Sequence, residues 1–403
     1  MSSGLPVEVQ GGRGRMLGMP PAQFLRDYWQ KRPLLVRGAF PGFVSPIEPE
    51  DLAGLACEEL ALSRLVQHDR ASDAWRVQTG PFPEELFPTL GERDWTLLVQ
   101  DVDKWDADVA ALLAHFDFIP RWRIDDIMVS FAATGGSVGA HVDQYDVFLL
   151  QAQGHRRWQI DAGLALDGVA PLLDFRDDVE LRLLRKFTPS HDWVLEPGDM
   201  LYLPPGLPHH GVAEDPCLTF SVGMRAPSAA ELMGDYIDTL AAAADDALRY
   251  GDADLALPKD PNEIDAAAMA RVVEALNALR FRDPDRLGDW FGRFITSYRS
   301  ADVAAADGDA PSRIEIEWSL EHGGGVLQRH PFARMAWRRA ANGGRLYASG
   351  HDLALPVRDA QRIAGSERVD GALYATLSAA GRDALHELLR SGGYRWLPDG
   401  DAG

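Results

Sequence analysis

Between Arg123 and Pro227 the chain breaks into short apolar runs separated by Gly and Pro: IDDIMVSFAA, SVGAHVDQ, DVFLLQAQG, RRWQI, WVLEPGD, MLYLPPG, HHGVAE and CLTFSVGMR. Each is rich in Val, Ile, Phe or Leu, and turn signals recur at intervals of about eight to twelve residues. Short strands spaced in this way argue for a β-sandwich or a small barrel. Glu196-Pro197-Gly198-Asp199 is a near-ideal turn within the stretch. Pro presets φ at its second position and Gly accepts positive φ at its third.

The flanks read differently. Residues 1–18 are Gly-rich and aperiodic, which predicts a flexible N-terminal arm. PPAQFLRDYWQKRP and PEDLAGLACEELAL read as helices, LLVRGAF, SRLVQH, AWRVQTG and WTLLVQDV as strands, and VAALLAHF as a helix. After Pro227, ELMGDYIDTLAAAADDALRY, DAAAMARVVEALNALRF and DRLGDWFGRFITSYRS are helically periodic, and the first two are Ala-rich faces that need covering. ADVAAADGDAPS reads as a linker. The last ninety or so residues mix strands (MAWRRA, RLYASG, LALPV) with helices (RDAQRIA, RDALHELLRSG), a small module of winged-helix type. The expected division is an arm over 1–18, a β-rich domain over 19–227, a helical region over 228–305 and the final module over 306–403.

The β-rich stretch also carries the chemistry. His141 and Asp143 are two residues apart, so on a strand they face the same way. Tyr145 continues that face, and Gly135, Gly136 and Gly139 precede it where a sharp bend is easiest. A second histidine source is the His209-His210 pair in PPGLPHHG; neighbours on a strand face opposite ways, so only one can join His141 and Asp143. Two histidines and one carboxylate are the donor set of non-haem Fe(II) oxygenases. Asp126, Met128 and Ser130 share one face of the strand before the triad, and a hairpin through Gly154 leads to His155-Arg156-Arg157-Trp158. An arginine there can grip a carboxylate with two parallel hydrogen bonds.

Taken together, YWQKRPLLVRGAF, GPF, RIDDIMVSFAATGGSVGAHVDQYDVFLLQAQGHRRWQI and LEPGDMLYLPPGLPHHGVAEDPCLTFSVGMRAP resemble the JmjC-like cupin Fe(II)/2-oxoglutarate oxygenases. Within them the chain is similar to the bacterial ribosomal oxygenases, closely over its first two-thirds and loosely over the rest. The resemblance implies an α+β architecture: a double-stranded β-helix barrel, a helical dimerisation region and a winged helix. It implies Fe(II) held by His141, Asp143 and His209, which selects His209 over His210, and 2-oxoglutarate as cosubstrate held by Arg156 beside Ser130. It implies substrate contacts from Asp126 and Tyr145; Met128, on the strand face of Asp126, is a further candidate for substrate contact. The implied reaction is hydroxylation of an arginine side chain of a large-subunit ribosomal protein (the one numbered sixteen), with succinate and CO2 as co-products. His155 stands where relatives commonly have arginine, and His210 where they commonly have an acid; both are expected near the pocket mouth.

Composition limits the partners. A formal charge of −21 opposes general nucleic-acid binding and favours a basic protein partner. From Pro311 onward twelve Arg face eleven Asp plus Glu, so the final module is nearly neutral and is expected to contact protein rather than DNA. Two cysteines, Cys57 and Cys217, with no apolar signal segment and no membrane span in the sequence, lead to the expectation of a cytoplasmic protein. Other readings compete with arginine hydroxylation: the same site acting on another residue or as an N-methyl demethylase, and a binding module without catalysis.

Overall fold

A computed structural model describes residues 5–162, 173–245, 249–257, 262–278, 280, 283–297 and 311–398. The chain divides into two units, Met1–Ala226 and Pro227–Gly403, each with its own apolar core.

The described strands of the first unit are β1 Glu8–Gln10, β2 Leu34–Arg37, β3 Ser63–Asp69, β4 Ala74–Thr79, β5 Trp95–Val99, β6 Ile124–Ala132, β7 Val147–Gln153, β8 Arg156–Ile160, β9 His191–Leu195, β10 Met200–Leu203, β11 His209–Ala213 and β12 Cys217–Met224. They form a nine-stranded sheet, β1-β2-β10-β7-β12-β6-β5-β3-β4, and a three-stranded sheet, β11-β8-β9. The period-two alternation of side chains explains the layering. On the outer face of the large sheet, Ile127, Val129, Phe148, Leu150, Phe220 and Val222 join Phe24, Tyr28, Leu52 and Phe116 from the N-terminal helical segments in one cluster. On the inner face, Val147, Leu149 and Leu201 meet Trp158, Ile160 and Leu195 of the small sheet. With both faces covered, β7, β10 and β12 are buried almost without a break, so they read as apolar runs rather than as alternating ones. The two sheets are the walls of a double-stranded β-helix, and the inward residues of β6 and β12 that are polar sit between them.

Three expectations change. SVGAHVDQ is not a strand: its ladder contacts are single bridges, Ser137 to Val212 and His141 to His209. Glycines at 135 and 139, with φ +80° and +81°, break the extended path. Gly154, φ +61°, does not close a paired hairpin; β7 pairs with β10 and β12 while β8 pairs with β9 and β11, so the turn carries the chain from one sheet to the other. The N-terminal arm is docked where it is described. Glu8–Gln10 pairs in parallel with β2, and the Tyr28 hydroxyl donates to the Pro6 carbonyl at 2.8 Å. Pairing covers the polar edge of β2, which a Gly-rich composition does not reveal. Elsewhere the turn at 196–199 forms as expected, with Gly198 at φ +92° and the Asp199 N–H on the Glu196 carbonyl at 2.9 Å.

In the second unit, helices Ala229–Ala242, Ala266–Ala278 and Pro284–Thr296 precede helix Arg313–Glu321. Ser228 and Glu231 cap the first reciprocally, as Ser312 and Glu315 cap the last. Then come β13 Gly325–Arg329, β14 Met335–Ala340, β15 Gly343–Ala348 and β16 His351–Leu355, helix Val357–Gly365, β17 Arg368–Val369, helices Gly371–Ala375 and Ala379–Arg390, and β18 Tyr394–Pro398. Strands β14-β15-β16 form the wing, and β17-β13-β18 a second small sheet. Helix Pro284–Thr296 packs on the wing: Gly292 lies against the Tyr347 ring, and Arg338 pairs with Asp285 and Asp289 at 2.7 and 2.8 Å. The expected boundary at 305/306 falls inside this unit, and the linker residues around it lie outside the described residues.

Candidate active site

His209 opens β11, opposite Ile160 of β8. His141 lies beside it through a two-way backbone pair, each N–H on the other's carbonyl at 3.0 Å. Each imidazole is turned by its own Nδ1–H, which donates to the carbonyl two residues earlier: Gly139 for His141 and Leu207 for His209, both at 2.9 Å. Both Nε2 atoms are therefore left as open lone pairs. They converge on Asp143, whose Oδ2 lies 3.9 Å from Nε2 of His141 and 3.5 Å from Nε2 of His209. Burial, with His141 next, pushes His209 down to about 4, so the ring is neutral at physiological pH. The donor atoms of the three residues all lie within 4.8 Å of one another, and they could hold a metal ion. Neutral imidazoles and a carboxylate suit Fe(II).

Arg156 on β8 crosses to the large sheet, where its guanidinium donates to Ser130 Oγ on β6 at 3.2 Å. Its side chain is buried at 3% exposure, and Nε has no hydrogen-bond partner. Trp158 lies 5.0 Å beneath it, and desolvation pushes its pKa down. Only glycine fits at 211, since a Cβ there would meet the Trp158 ring at 2.7 Å and Arg156 Nε at 2.9 Å. An unpaired buried cation is costly, so this one is complete only with an anion. Arg157, by alternation, faces outward to Asp192 and Glu214 at 2.7 and 2.5 Å.

Further along β6, the inward face that holds Ser130 also holds Met128, half-buried, and Asp126, buried at 7% exposure. Burial pushes Asp126 up to about 7, and the nearby carboxylates of Asp101, Asp125 and Asp103 add to it. The loop carrying Asp101 is clasped to β6 in both directions. The Asp101 N–H donates to Asp126 Oδ2 at 3.0 Å, and the Ile127 N–H donates to Asp103 Oδ1 at 2.8 Å. Asp101 adopts φ +59° to do so. Tyr145 follows Asp143 on the connection rather than on a strand; it is 41% exposed, and desolvation, then the neighbouring Asp143 carboxylate, raises its pKa. Next to it Asp146 is fully buried, accepting from Tyr202, Gln30 and Arg123 at 2.7, 2.9 and 3.3 Å. Neither the clasp nor this anchor carries a sequence signal, because both join residues far apart in the chain.

His155 and His210 each have a partner of their own. His155 is spent on Asp215, Nδ1 to Oδ2 at 2.6 Å. His210 points to the opposite side of β11 from His209, bonds to Ser137 at 3.1 Å, and lines a separate cavity of about 180 Å³ with His68, Arg70, Trp75 and Arg176.

A JmjC domain profile matches residues 111–232, a ROXA-like winged helix matches 276–395, and an AraC-like ligand binding domain overlaps the later barrel strands at 189–276. Fold and site together define a JmjC-type cupin oxygenase. The chain is 37% identical over 337 residues to the ribosomal protein uL16 3-hydroxylase of Escherichia coli, 84% of this chain and 86% of that one. It is 34% identical over 399 residues to a probable ribosomal oxygenase of Haemophilus influenzae, 94% and 95%. Among solved structures, E. coli YcfD superposes with a TM-score of 0.84 at 33% identity, covering 94% and 98%. The same protein has been solved in complex with cobalt and 2-oxoglutarate, TM-score 0.79. The chain belongs to the bacterial ribosomal oxygenase family. It is a 2-oxoglutarate-dependent oxygenase, with Fe(II) and 2-oxoglutarate as metal and cosubstrate.

Proposed function

We propose that this chain hydroxylates an unactivated carbon of an arginine side chain in the large-subunit ribosomal protein uL16. The observation that carries the reading of the substrate is Asp126, an acid buried on the same barrel face as the residue that supports Arg156. In this reading His141, Asp143 and His209 hold the iron, and Arg156 with Ser130 binds the far carboxylate of 2-oxoglutarate. When bound, the iron couples oxidative decarboxylation of 2-oxoglutarate to succinate and CO2 with insertion of one oxygen atom into a C–H bond. The protein's own part is orientation. Arg156 fixes the far end of the cosubstrate. Asp126 accepts hydrogen bonds from the substrate guanidinium, whose charge replaces the proton that Asp126 otherwise keeps. Tyr145 covers the guanidinium plane, and Met128 packs on the aliphatic stem.

The test is incubation of the purified protein with ribosomal proteins, Fe(II) and 2-oxoglutarate, followed by mass mapping. Gain of one oxygen on an arginine of uL16 is expected, in step with succinate. Loss of a methylene unit from a methylated target would replace the reading with demethylation. Absence of succinate with every basic peptide would leave a binding module.

Asp126 gives a pH-dependent prediction. Its folded pKa near 7 lies above the ordinary 3.8, so the native state holds the proton more tightly than the unfolded one. The stability this contributes is full below about pH 4 and is lost as pH rises through 7. Asp126→Asn has no proton to lose. It is expected to be more stable than wild type at pH 8 by ~1–3 kcal/mol, and to show little gain at pH 4. Peptide turnover is expected to fall at least about tenfold, as loss of a charge-assisted hydrogen bond requires. Urea unfolding at the two pH values checks the sign; a pH-independent difference would rule it out.

Two further assignments belong to this reading. Helices Ala229–Ala242 and Ala266–Ala278 expose Met233, Ile237, Met269, Val273 and Leu276, each at least half exposed. We assign that surface to a second copy of the chain, giving a homodimer. Ile237→Lys with Leu276→Glu is expected to yield monomers in light scattering, and an unchanged mass would refute the assignment. The basic ribosomal protein is the partner, nucleic acid is not bound directly, and the cytoplasm is the site of action. Among the described residues no helix is long and apolar enough to cross a membrane. The division into residues 19–227, 228–305 and 306–403 is likewise proposed as the functional partition.

A further inference from the structure

The two histidines reach the same point by unequal means. His209 belongs to a strand paired along its length with β8, and its side chain is 3% exposed. His141 sits on a connection held by single bridges, and its side chain is 23% exposed. The direction of its ring depends on the bond from Nδ1–H to the Gly139 carbonyl. Gly139 has φ +81° and no room for a Cβ against Leu183, so no side chain of its own fixes its peptide planes. Ser137 holds the first of them, the Val138–Gly139 plane. The Gly139 N–H donates to Ser137 Oγ at 3.0 Å. Ser137 is 4% exposed, and its hydroxyl donates to the Gly211 carbonyl at 2.7 Å. A carbonyl only accepts, so the one proton of Ser137 is committed there. Both lone pairs then accept: one from Gly139, the other from Nε2–H of His210 at 3.1 Å. The oxygen is saturated, and it ties the ligand-bearing connection to β11, the strand that carries the other histidine.

We propose that Ser137, oriented by His210, is a positioning residue for metal binding: it anchors Gly139 by its N–H, and through that residue the carbonyl that sets the Nδ1–H tautomer and ring direction of His141. This rests on the reading of His141, Asp143 and His209 as the metal ligands. It gives His210 a task on the far side of β11, in place of contact with substrate. Outer hydrogen bonds of this kind are worth about 10–100-fold in metal affinity.

The test is titration of the full chain with Co(II), followed by its visible absorption, for wild type, Ser137→Ala, Ser137→Cys and Ser137→Thr. Cysteine keeps the volume but is a poor acceptor. Threonine keeps the hydroxyl, and the cavity that Ser137 lines leaves space beside it. Alanine and cysteine are expected to weaken Co(II) binding about 10–100-fold, with threonine close to wild type. Ser45→Ala, which removes another buried hydroxyl, one bonded to the Ile47 carbonyl, is expected to bind Co(II) as wild type does. Wild-type affinity in Ser137→Ala or Ser137→Cys overturns the proposal. So does rapid hydrogen exchange of the Gly139 amide in the wild-type protein, a measurement that needs no variant to fold. Asp143→Ala separates the two levels. Undiminished Co(II) binding there refutes the triad itself, whereas loss there with normal binding by the Ser137 variants refutes only the positioning role.

Discussion

Asp143→Ala is expected to reduce succinate formation in the presence of protein substrate on the order of a thousandfold or more, a small part of what catalysis typically supplies. The reason is the donor set. Among the described residues the only cluster that could hold a metal is His141, Asp143 and His209, and Asp143 is its single carboxylate. Removing it leaves two imidazoles, with no negative charge to hold a divalent ion against water. Unfolding is not the expected cause. Asp143 is a quarter exposed, and the backbone bond from the Gly206 N–H to its carbonyl, 2.7 Å, survives substitution. Thermal unfolding without added metal should stay close to wild type. Activity within tenfold of wild type would end the metal assignment.

Arg156 carries the second large effect, and it has two signs. Arg156→Ala is expected to raise the 2-oxoglutarate requirement tenfold to about a hundredfold, from loss of about 1.5–3 kcal/mol of charge-assisted bonding. Arg156→Met, which fills the site without charge, is expected to melt higher than wild type when no 2-oxoglutarate is present. The guanidinium is buried with Nε unpartnered, and an unpaired buried charge costs several kcal/mol. Wild type should gain stability on adding 2-oxoglutarate, while the methionine variant should not. Thermal shifts with and without the ketoacid read both. An unchanged requirement in Arg156→Ala would call for another cation, and Arg157 is a poor substitute because it faces outward between Asp192 and Glu214.

What the sequence reveals of this protein follows the physics of burial. Strands β6, β7 and β12 are legible because sheets bury side chains at period two, and because doubly covered strands become apolar runs. Asp126, Met128 and Ser130 are correctly placed on one face by counting alone. The segment around His141 misleads for a physical reason. The HxD spacing satisfies the strand rule, yet the glycines before it bend the chain, and the side chains meet through a turn and a single bridge. β1 escapes notice because its pairing is parallel and tertiary, set by the open edge of β2. β13 and β18 escape because GVLQR and YRWLP are short and only weakly alternating. The choice of His209 over His210 needs either the family resemblance or the strand itself. The task of His210 needs coordinates, since Ser137 is far from it in sequence.

The segment from Ala133 to Asp146 leaves one sheet strand and returns to another, and it bears two of the three proposed ligands while belonging to neither sheet. An ion shared by His141, Asp143 and His209 would therefore act as a suture, closing this segment onto β11 as a disulfide closes a loop. The same ion that serves the chemistry would set how often that side of the barrel opens.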